Sequence, residues 1–345
     1  IDTDLSSESY HRTTSYERHR MPGGTLDWGN RPDPFKVYPE VESEEMSAPS
    51  DFPSQDLWTL GAGPEREPSR TLDRSTLARV LMMAYGLTAR SRQGPGWFYY
   101  RSAASAGALY PAELYLGAGR IDGLANGWYH YAGRRPALVR LRPSDHAAET
   151  GRALGRGWEE IAAVFAITGI FFRSAWKYGR RAFRYVLLDA GHLAENLCLA
   201  LENEGLSFEL SYDFDDARLE HLLGVDPQRE AALAAVLVHL PSGAAARSTG
   251  GEPPPPLAEG LQRASRVAVR ESVTGEILSI CRAGRNISSR PAPVGQMSSR
   301  LGASPSEWVN FESGRPAPTE LSAPEAILRR RSRRNFVPET PVSYT

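Results

Sequence analysis

The sequence has little lysine, little cysteine and no long apolar run. Only two of the 40 basic residues are lysine, Lys36 and Lys177, and all the others are arginine. The two cysteines are too few for a disulfide framework, which predicts a reducing, cytoplasmic setting. No run approaches the ~20 apolar residues of a membrane span, and no stretch has the make-up of a signal peptide. The net charge of −1 disfavours nucleic acid or a membrane surface as a partner.

The composition changes along the 345 residues and predicts four segments. Residues 1–54 are polar and are expected to form an extended arm. Residues 55–240 have the patterning of a globular domain, whereas 241–321 indicate a proline-rich linker with one helical patch. Residues 322–345 are predicted to open a second domain.

Hydrophobic periodicity predicts helices and strands without a regular βαβ rhythm, which indicates an α+β fold. The strongest helix is expected over 182–206, where apolar residues recur at helical spacing. The apolar run 161–172 fits either a buried strand or a buried helix. Further helices are predicted over 72–87 and 215–223, and strands over 112–119, 127–133, 136–141, 207–212 and 232–240.

A stretch of small residues, "RSAASAGALYP" (101–111), precedes one predicted strand. Small side chains let the backbone approach a flat ligand closely. The hydroxyl of Ser105 and nearby N–H groups can hydrogen-bond the polar edge of such a ligand. The alternative is an ordinary turn before a strand.

A second stretch, "WKYGRR" (176–181), holds one of the two lysines, Lys177, followed by Tyr178. Arginine cannot give up its proton in a protein, whereas lysine can, above all beside other cations. The pair is therefore a candidate for proton transfer. The alternative is a solvated basic face.

A third stretch, "AILRRRSRRNF" (326–336), follows a capping box formed by Ser322 and Glu325. Guanidinium groups, a hydroxyl and free N–H groups at one place suit a phosphate ester. The alternatives are a basic helix end and a nucleic-acid tail, the second of which the short cluster and the near-zero net charge disfavour. The residues of this candidate phosphate grip are Arg330, Arg331, Ser332 and Arg334.

These motifs together resemble the SagB-type dehydrogenases of the FMN-dependent nitroreductase superfamily. The resemblance rests on the small-residue stretch, on "GLANGWYHY", on "WKYGRRAFRYVLLDAGHLAENLCLALENEGL" and on the early "YHRTTSY…LDWGNRPDPFKVYPEV", and it runs from about residue 10 to 240. It implies a central, mainly antiparallel sheet flanked by helices, in a dimer or pseudo-dimer with FMN at the interface. One half would supply a phosphate grip and the other the small-residue turn, here Arg101, Ser105, Ala106 and Gly107.

The first half has a weaker opening of its own, "REPSRTL" (66–72). Arg66 and Arg70 match the outer arginines of the grip, but Glu67 and Pro68 replace the inner arginine and the serine. The intact grip of the second half would therefore complement the intact turn of the first. Because the second half is incomplete, we expect the 186–201 helix face to be exposed and to bind a second copy or the missing half.

The resemblance also implies an activity. SagB-type enzymes that mature peptides oxidise thiazoline or oxazoline rings to thiazole or oxazole, with a proton-abstracting pair that matches Lys177 and Tyr178. A modified peptide would be the substrate and a cyclodehydratase a partner. Ala104 and Glu195 depart from the usual proline and glutamine of this pattern. Two alternatives are a general NAD(P)H-dependent nitro or quinone reductase, and a flavin-free partner that binds a peptide.

Overall fold

A computed structural model describes residues 7–15, 25–39, 41–55, 60, 71–93, 96–240, 252–285 and 321–332. Its α-helices are α1 (Ser7–Thr13), α2 (Arg74–Tyr85), α3 (Ala147–Leu154), α4 (Phe171–Tyr178), α5 (Ala182–Asn203), α6 (Asp216–Leu223), α7 (Glu259–Gln262), α8 (Gly275–Ala283) and α9 (Ala323–Arg329). Its strands are β1 (Ser43–Glu45), β2 (Leu87–Gln93), β3 (Gly96–Arg101), β4 (Ala112–Ala118), β5 (Gly127–Ala132), β6 (Ala137–Arg142), β7 (Ile161–Ile170), β8 (Phe208–Ser211) and β9 (Glu230–His239). Within these ranges no helix is long and apolar enough to span a membrane.

Seven strands form one antiparallel sheet in the order β1-β6-β5-β4-β7-β9-β8. Helices cover both of its faces. On β7, Phe165 and Ile167 pack with α2 and α5, whereas Val164 and Ala166 pack with α3 and α6. This confirms the α+β fold with a mainly antiparallel central sheet and flanking helices. The remaining two strands, β2 and β3, form a separate hairpin.

The apolar run 161–172 contains both of the structures that its composition allowed. It is strand up to Ile170 and helix from Phe171 onward. All ten residues of the strand are buried, which explains why no polar residue alternates along it. The strand ends where the Phe171 N–H leaves the ladder and donates to the Arg229 carbonyl at 2.9 Å.

Helix α5 buries the face that we expected to be exposed. That face lies against the sheet and consists of Val186, Ala190, Leu193, Leu197 and Leu201. The expectation of an exposed face was wrong because β4, β7, β8 and β9 of this chain cover it. The exposed apolar side chains of α5 are the neighbouring Leu187 and Leu188, 48% and 58% exposed.

The first lysine lies in a polar cage inside the domain. Lys36 Nζ donates to Tyr115 Oη at 2.7 Å, to Glu230 Oε2 at 2.5 Å and to Ser265 Oγ at 3.1 Å. Burial lowers the pKa of Lys36, but the adjacent Glu230 carboxylate outweighs it and holds this pKa above its ordinary value. An ammonium has three donors and all three are used here. A guanidinium has five donors in a planar fork and would leave some of them unpaired.

Two segments beyond residue 250 pack against the domain. Ile277 and Cys281 of α8 are buried in a cluster with Tyr10 of α1 and Phe171 of α4. The helical patch expected there is interrupted, because residues 266–274 between α7 and α8 are not helical.

The second of these segments holds α9. Its capping box, Ser322 with Glu325, forms as predicted. Ile327 is buried in the main core with α2 and α5. The Ala323 N–H donates to the Gln55 carbonyl at 2.9 Å. The start of the predicted second domain is therefore anchored on the first.

Candidate functional site

The turn that follows β3 has an unusual backbone. Gly107 has φ 66°, and the non-glycine residues Ala108 and Tyr110 have φ 52° and 48°. Left-handed backbone costs a residue with a side chain roughly 1 kcal/mol or more, so its surroundings must hold it in place. Part of this support is local, because the Tyr110 N–H donates to Ser105 Oγ at 2.9 Å.

Further support comes from Asp189 on α5. Ser105 Oγ donates to Asp189 Oδ2 at 2.5 Å, and the Ala106 N–H donates to Asp189 Oδ1 at 3.0 Å. The two groups that the sequence suggested for a ligand edge are thus bonded within the protein. Burial raises the pKa of Asp189 to about 6, although the hydrogen bonds from Ser105 and Ala106 oppose this effect. Ser105 and Ala106 fix the backbone of the turn through these bonds, and Gly107 is the residue of the turn that faces Lys177 and Tyr178.

Lys177 and Tyr178 lie over Gly107, at the last turn of α4. A Cβ atom added to Gly107 would be 2.9 Å from Lys177 Nζ and 2.9 Å from Tyr178 Oη. Lys177 Nζ is 5.4 Å from the centroid of the Tyr178 ring, and that ring stacks on Tyr185 with centroids 4.0 Å apart. The structure therefore brings the lysine–tyrosine pair and the small-residue turn together. A larger residue at position 107 would have to displace the ends of both side chains.

The end of α9 reaches the same place from the other side. Arg330 donates to the carbonyls of Arg101 and Ser102 at 3.3 Å each. Arg331 donates to the Thr88 carbonyl at 3.2 Å, and its guanidinium carbon lies 5.7 Å from the centre of the Tyr100 ring. Arg334, the last residue of the candidate grip, lies outside the described residues, as do Arg66 and Arg70.

These elements enclose one cavity of about 870 Å³. Its cationic wall is formed by Arg31, Lys177, Arg330 and Arg331, with Ser332 beside them. Its aromatic wall is formed by Trp28, Phe98, Tyr100 and Trp176, and the small-residue turn closes it. No carboxylate is present among the described residues that line it. A flat, aromatic, phosphate-bearing molecule such as FMN fits this combination of positive charge, aromatic side chains and a small-residue turn.

Arg101 has a different placement from the other candidate site residues. Its side chain is 2% exposed and points into the protein, where it donates to the Pro34 carbonyl at 3.1 Å. Its guanidinium carbon lies 4.1 Å from the centre of the Tyr85 ring. Arg101 therefore reaches the cavity rim through its backbone, since its carbonyl accepts from Arg330.

A sequence profile of the nitroreductase family matches residues 67–238. A protein of Methanocaldococcus jannaschii that carries the name nitroreductase is 31% identical over 159 residues, which are 46% of this chain and 77% of that protein. The chain belongs to the nitroreductase family. Proteins of this family are generally oxidoreductases that bind flavin.

Two further similarities concern larger proteins. The trifolitoxin-processing protein TfxB of Rhizobium leguminosarum bv. trifolii is 31% identical over 142 residues, which are 39% of this chain but 38% of TfxB. A crystal structure from Anabaena variabilis, also named as a nitroreductase, superposes with a TM-score of 0.60 at 26% identity. That match covers 84% of this chain and 55% of the Anabaena chain. The chain thus spans little more than half of that structure and well under half of TfxB.

Sequence reasoning missed two parts of the site. Asp189 looked like one polar position on an amphipathic helix, and only the packing of α5 under the turn shows its two hydrogen bonds. Trp28 and Trp176, with ring centroids 5.3 Å apart, form one cavity wall from segments far apart in sequence. The early "LDWGN" motif was the available signal for Trp28.

Proposed function

We propose that this chain carries the flavin site of an FMN-dependent oxidoreductase of the SagB type. The supporting observation is the meeting of the small-residue turn, Lys177 and the Arg330–Ser332 segment at one cavity. The bond from Arg330 to the Arg101 carbonyl spans 229 residues of sequence. In the superfamily that the sequence resembles, the small-residue turn and the phosphate grip come from different halves of a dimer. Here one chain supplies both, which is what a tandem pseudo-dimer requires.

The reaction that we propose is the oxidation of a thiazoline or oxazoline ring in a peptide to thiazole or oxazole. Lys177, when neutral, takes the proton from the ring Cα, and Tyr178 relays or orients that proton. When bound, FMN would accept the hydride from the adjacent ring carbon and return to its oxidised form by reducing oxygen. The aromatic walls hold the flat ring, and the turn built on Gly107 lets it approach the lysine.

The peptide substrate is supported by one relative. TfxB bears the name of a protein that processes trifolitoxin. A peptide azoline must first be made by a cyclising enzyme, so we infer a cyclodehydratase that precedes this step. We also infer that a second copy of this chain, or a second nitroreductase half, completes the flavin site.

A second candidate is a general flavin reductase for nitro or quinone compounds. The observation that favours it is the similarity to the Methanocaldococcus protein, of which this chain covers 77%. The two candidates differ in what Lys177 must do. A reductase fed by a nicotinamide needs no base at the substrate Cα, whereas azoline oxidation does.

The test uses the purified protein. Its absorption spectrum after reconstitution should show bound flavin. A thiazoline peptide should bleach that flavin under anaerobic single-turnover conditions. Lys177→Arg should slow bleaching by ~10²–10⁴-fold, the range for a lost general base, with the flavin retained. Tyr178→Phe should do the same if the phenol relays the proton.

The matched control is Arg180→Lys, an exchange of the same two residue types three positions away. It should leave bleaching unchanged. Normal bleaching by Lys177→Arg would exclude the lysine as the base and favour the reductase. Absence of flavin after reconstitution would favour a flavin-free partner.

A further inference from the structure

The cavity continues into two shallower depressions along the hairpin of β2 and β3. The first, of about 420 Å³, shares Arg31 with the central cavity. The second, of about 390 Å³, shares Tyr99 and Arg134 with the first. The three therefore lie next to one another, with Lys177 in the central cavity.

This surface has a strong excess of positive charge. We call its four exposed arginines, Arg31, Arg90, Arg134 and Arg135, the arginine face. In the described part of the chain none of the four forms an ion pair, whereas Arg79, Arg156, Arg218 and Arg229 each pair with a carboxylate. The single acidic residue among the described lining of the two depressions is Asp33, and its Oδ1 accepts from the Phe35 N–H at 2.8 Å.

Aromatic side chains lie between these arginines. Trp97 is 46% exposed and the guanidinium carbon of Arg90 stands 4.6 Å from its ring centre. Trp28, at the junction with the central cavity, is 66% exposed. Tryptophan, tyrosine and arginine are the residues that most often dominate binding energy at protein interfaces. An exposed combination of them beside a cavity is typical of a binding surface rather than a solvated one.

We propose that the arginine face binds an acidic segment of the substrate peptide, next to the residue that enters the central cavity. The proposal rests on the proposed function, because only a substrate with flanking residues needs a surface outside the cavity. Carboxylates of such a segment pair with the guanidinium groups, and its apolar side chains or backbone lie on Trp97 and Tyr99. The near-neutral charge of the whole chain favours a peptide over a nucleic acid, because a nucleic-acid partner calls for a large excess of positive charge.

Binding can be measured without any redox step. The probes are three fluorescein-labelled twelve-residue peptides that differ only in having glutamate, glutamine or lysine at every second position, measured by fluorescence anisotropy. The glutamate peptide should bind most tightly and should weaken as salt is raised. The double variant Arg90→Glu, Arg134→Glu should weaken it by at least about tenfold. The control Arg263→Glu, Arg282→Glu makes the same change of charge on another surface and should leave the affinity within about twofold.

Several results would overturn the proposal. Equal affinity for the three peptides would overturn it, and so would the absence of any peptide binding. An equal loss of glutamate-peptide affinity in the two double variants would also overturn it. NADPH binding is measured separately on the same variants, because the phosphates of NADPH are also anionic and could bind the same arginines. If NADPH binding depends on Arg90 and Arg134 and glutamate-peptide binding does not, the surface is a nucleotide site and the peptide proposal is wrong. The flavin spectrum, recorded on the same variants, decides the proposed function independently of these affinities.

Discussion

Replacing Asp189 by asparagine tests how the turn is held. Asp189 is 5% exposed, and its carboxylate accepts hydrogen bonds from Ser105 and Ala106. Burial is the largest influence on its pKa and raises it from 3.8 to about 6. Asparagine keeps the size of the side chain and one acceptor oxygen but cannot ionise. The change with pH in the difference between the two proteins therefore reports the ionisation of Asp189.

The magnitude follows from the two pKa values. Between pH 3.8 and about 6 the folded protein holds the Asp189 proton that the unfolded chain has already lost. The unfolded state then binds fewer protons, so the free energy of unfolding falls by about 1.4 kcal/mol for each pH unit of increase. Across the whole window wild type should lose about 3 kcal/mol relative to Asp189→Asn. The contribution of protonated Asp189 to the free energy of unfolding is complete below pH 3.8 and is lost above about pH 6.

The assay is urea unfolding of flavin-free wild type and Asp189→Asn at half-unit steps from pH 4 to pH 7.5. His192 also acts on the carboxylate, so both proteins are repeated in a His192→Gln background. The reasoning fails if the difference between the two proteins is flat with pH. It also fails if wild type gains stability relative to the variant as pH rises. That sign would mean that the bonds from Ser105 and Ala106 outweigh burial.

Four other substitutions test separate parts of the structure. Gly107→Ala should slow flavin bleaching while lowering stability by only about 1–2 kcal/mol, because a Cβ at φ 66° would meet Lys177 Nζ at 2.9 Å; unchanged bleaching would show that this approach is not needed. Arg330→Ala should weaken FMN binding by roughly ten- to hundredfold, the scale of one charge-assisted hydrogen bond, in a fluorescence titration; unchanged affinity would mean that the grip is misassigned. Ile327→Ala should cost about 2–5 kcal/mol in urea unfolding, and no loss would show that α9 does not dock as described. Lys36→Arg should cost about 2–4 kcal/mol in the same assay, and full stability would show that the cage admits a guanidinium.

Local signals in the sequence were enough for most of the fold. Helix α2 lies within the predicted range 72–87, and its start is set by a contact within four residues, from the Thr76 N–H to Asp73 Oδ1 at 2.7 Å. The capping box of α9 is local in the same sense. The run 161–172 could not be divided from its composition, since the strand and the start of the following helix are equally apolar and both are buried.

The candidate site was less accessible to sequence reasoning. The motifs marked the segments that meet at the cavity, and the structure places Lys177, the turn and Arg330 there. Their assignment to a flavin and a proton stays a prediction. The carboxylate under the turn could not be foreseen, because 84 residues separate Asp189 from Ser105 and nothing local marks the contact. The inward direction of the Arg101 side chain depends in the same way on Pro34 and Tyr85.

The two lysines show why residue scarcity needs a structure to interpret it. Arginine stands at all basic positions of the chain except Lys36 and Lys177. Lysine suits position 36 because three acceptors surround its ammonium in a closed cage. Geometry alone explains that lysine, without any proton transfer. The same explanation does not extend to Lys177, whose side chain is exposed and lines the cavity. What arginine cannot provide there is a neutral form. The exposed lysine, not the buried one, is therefore the residue whose exchange for arginine reports on chemistry.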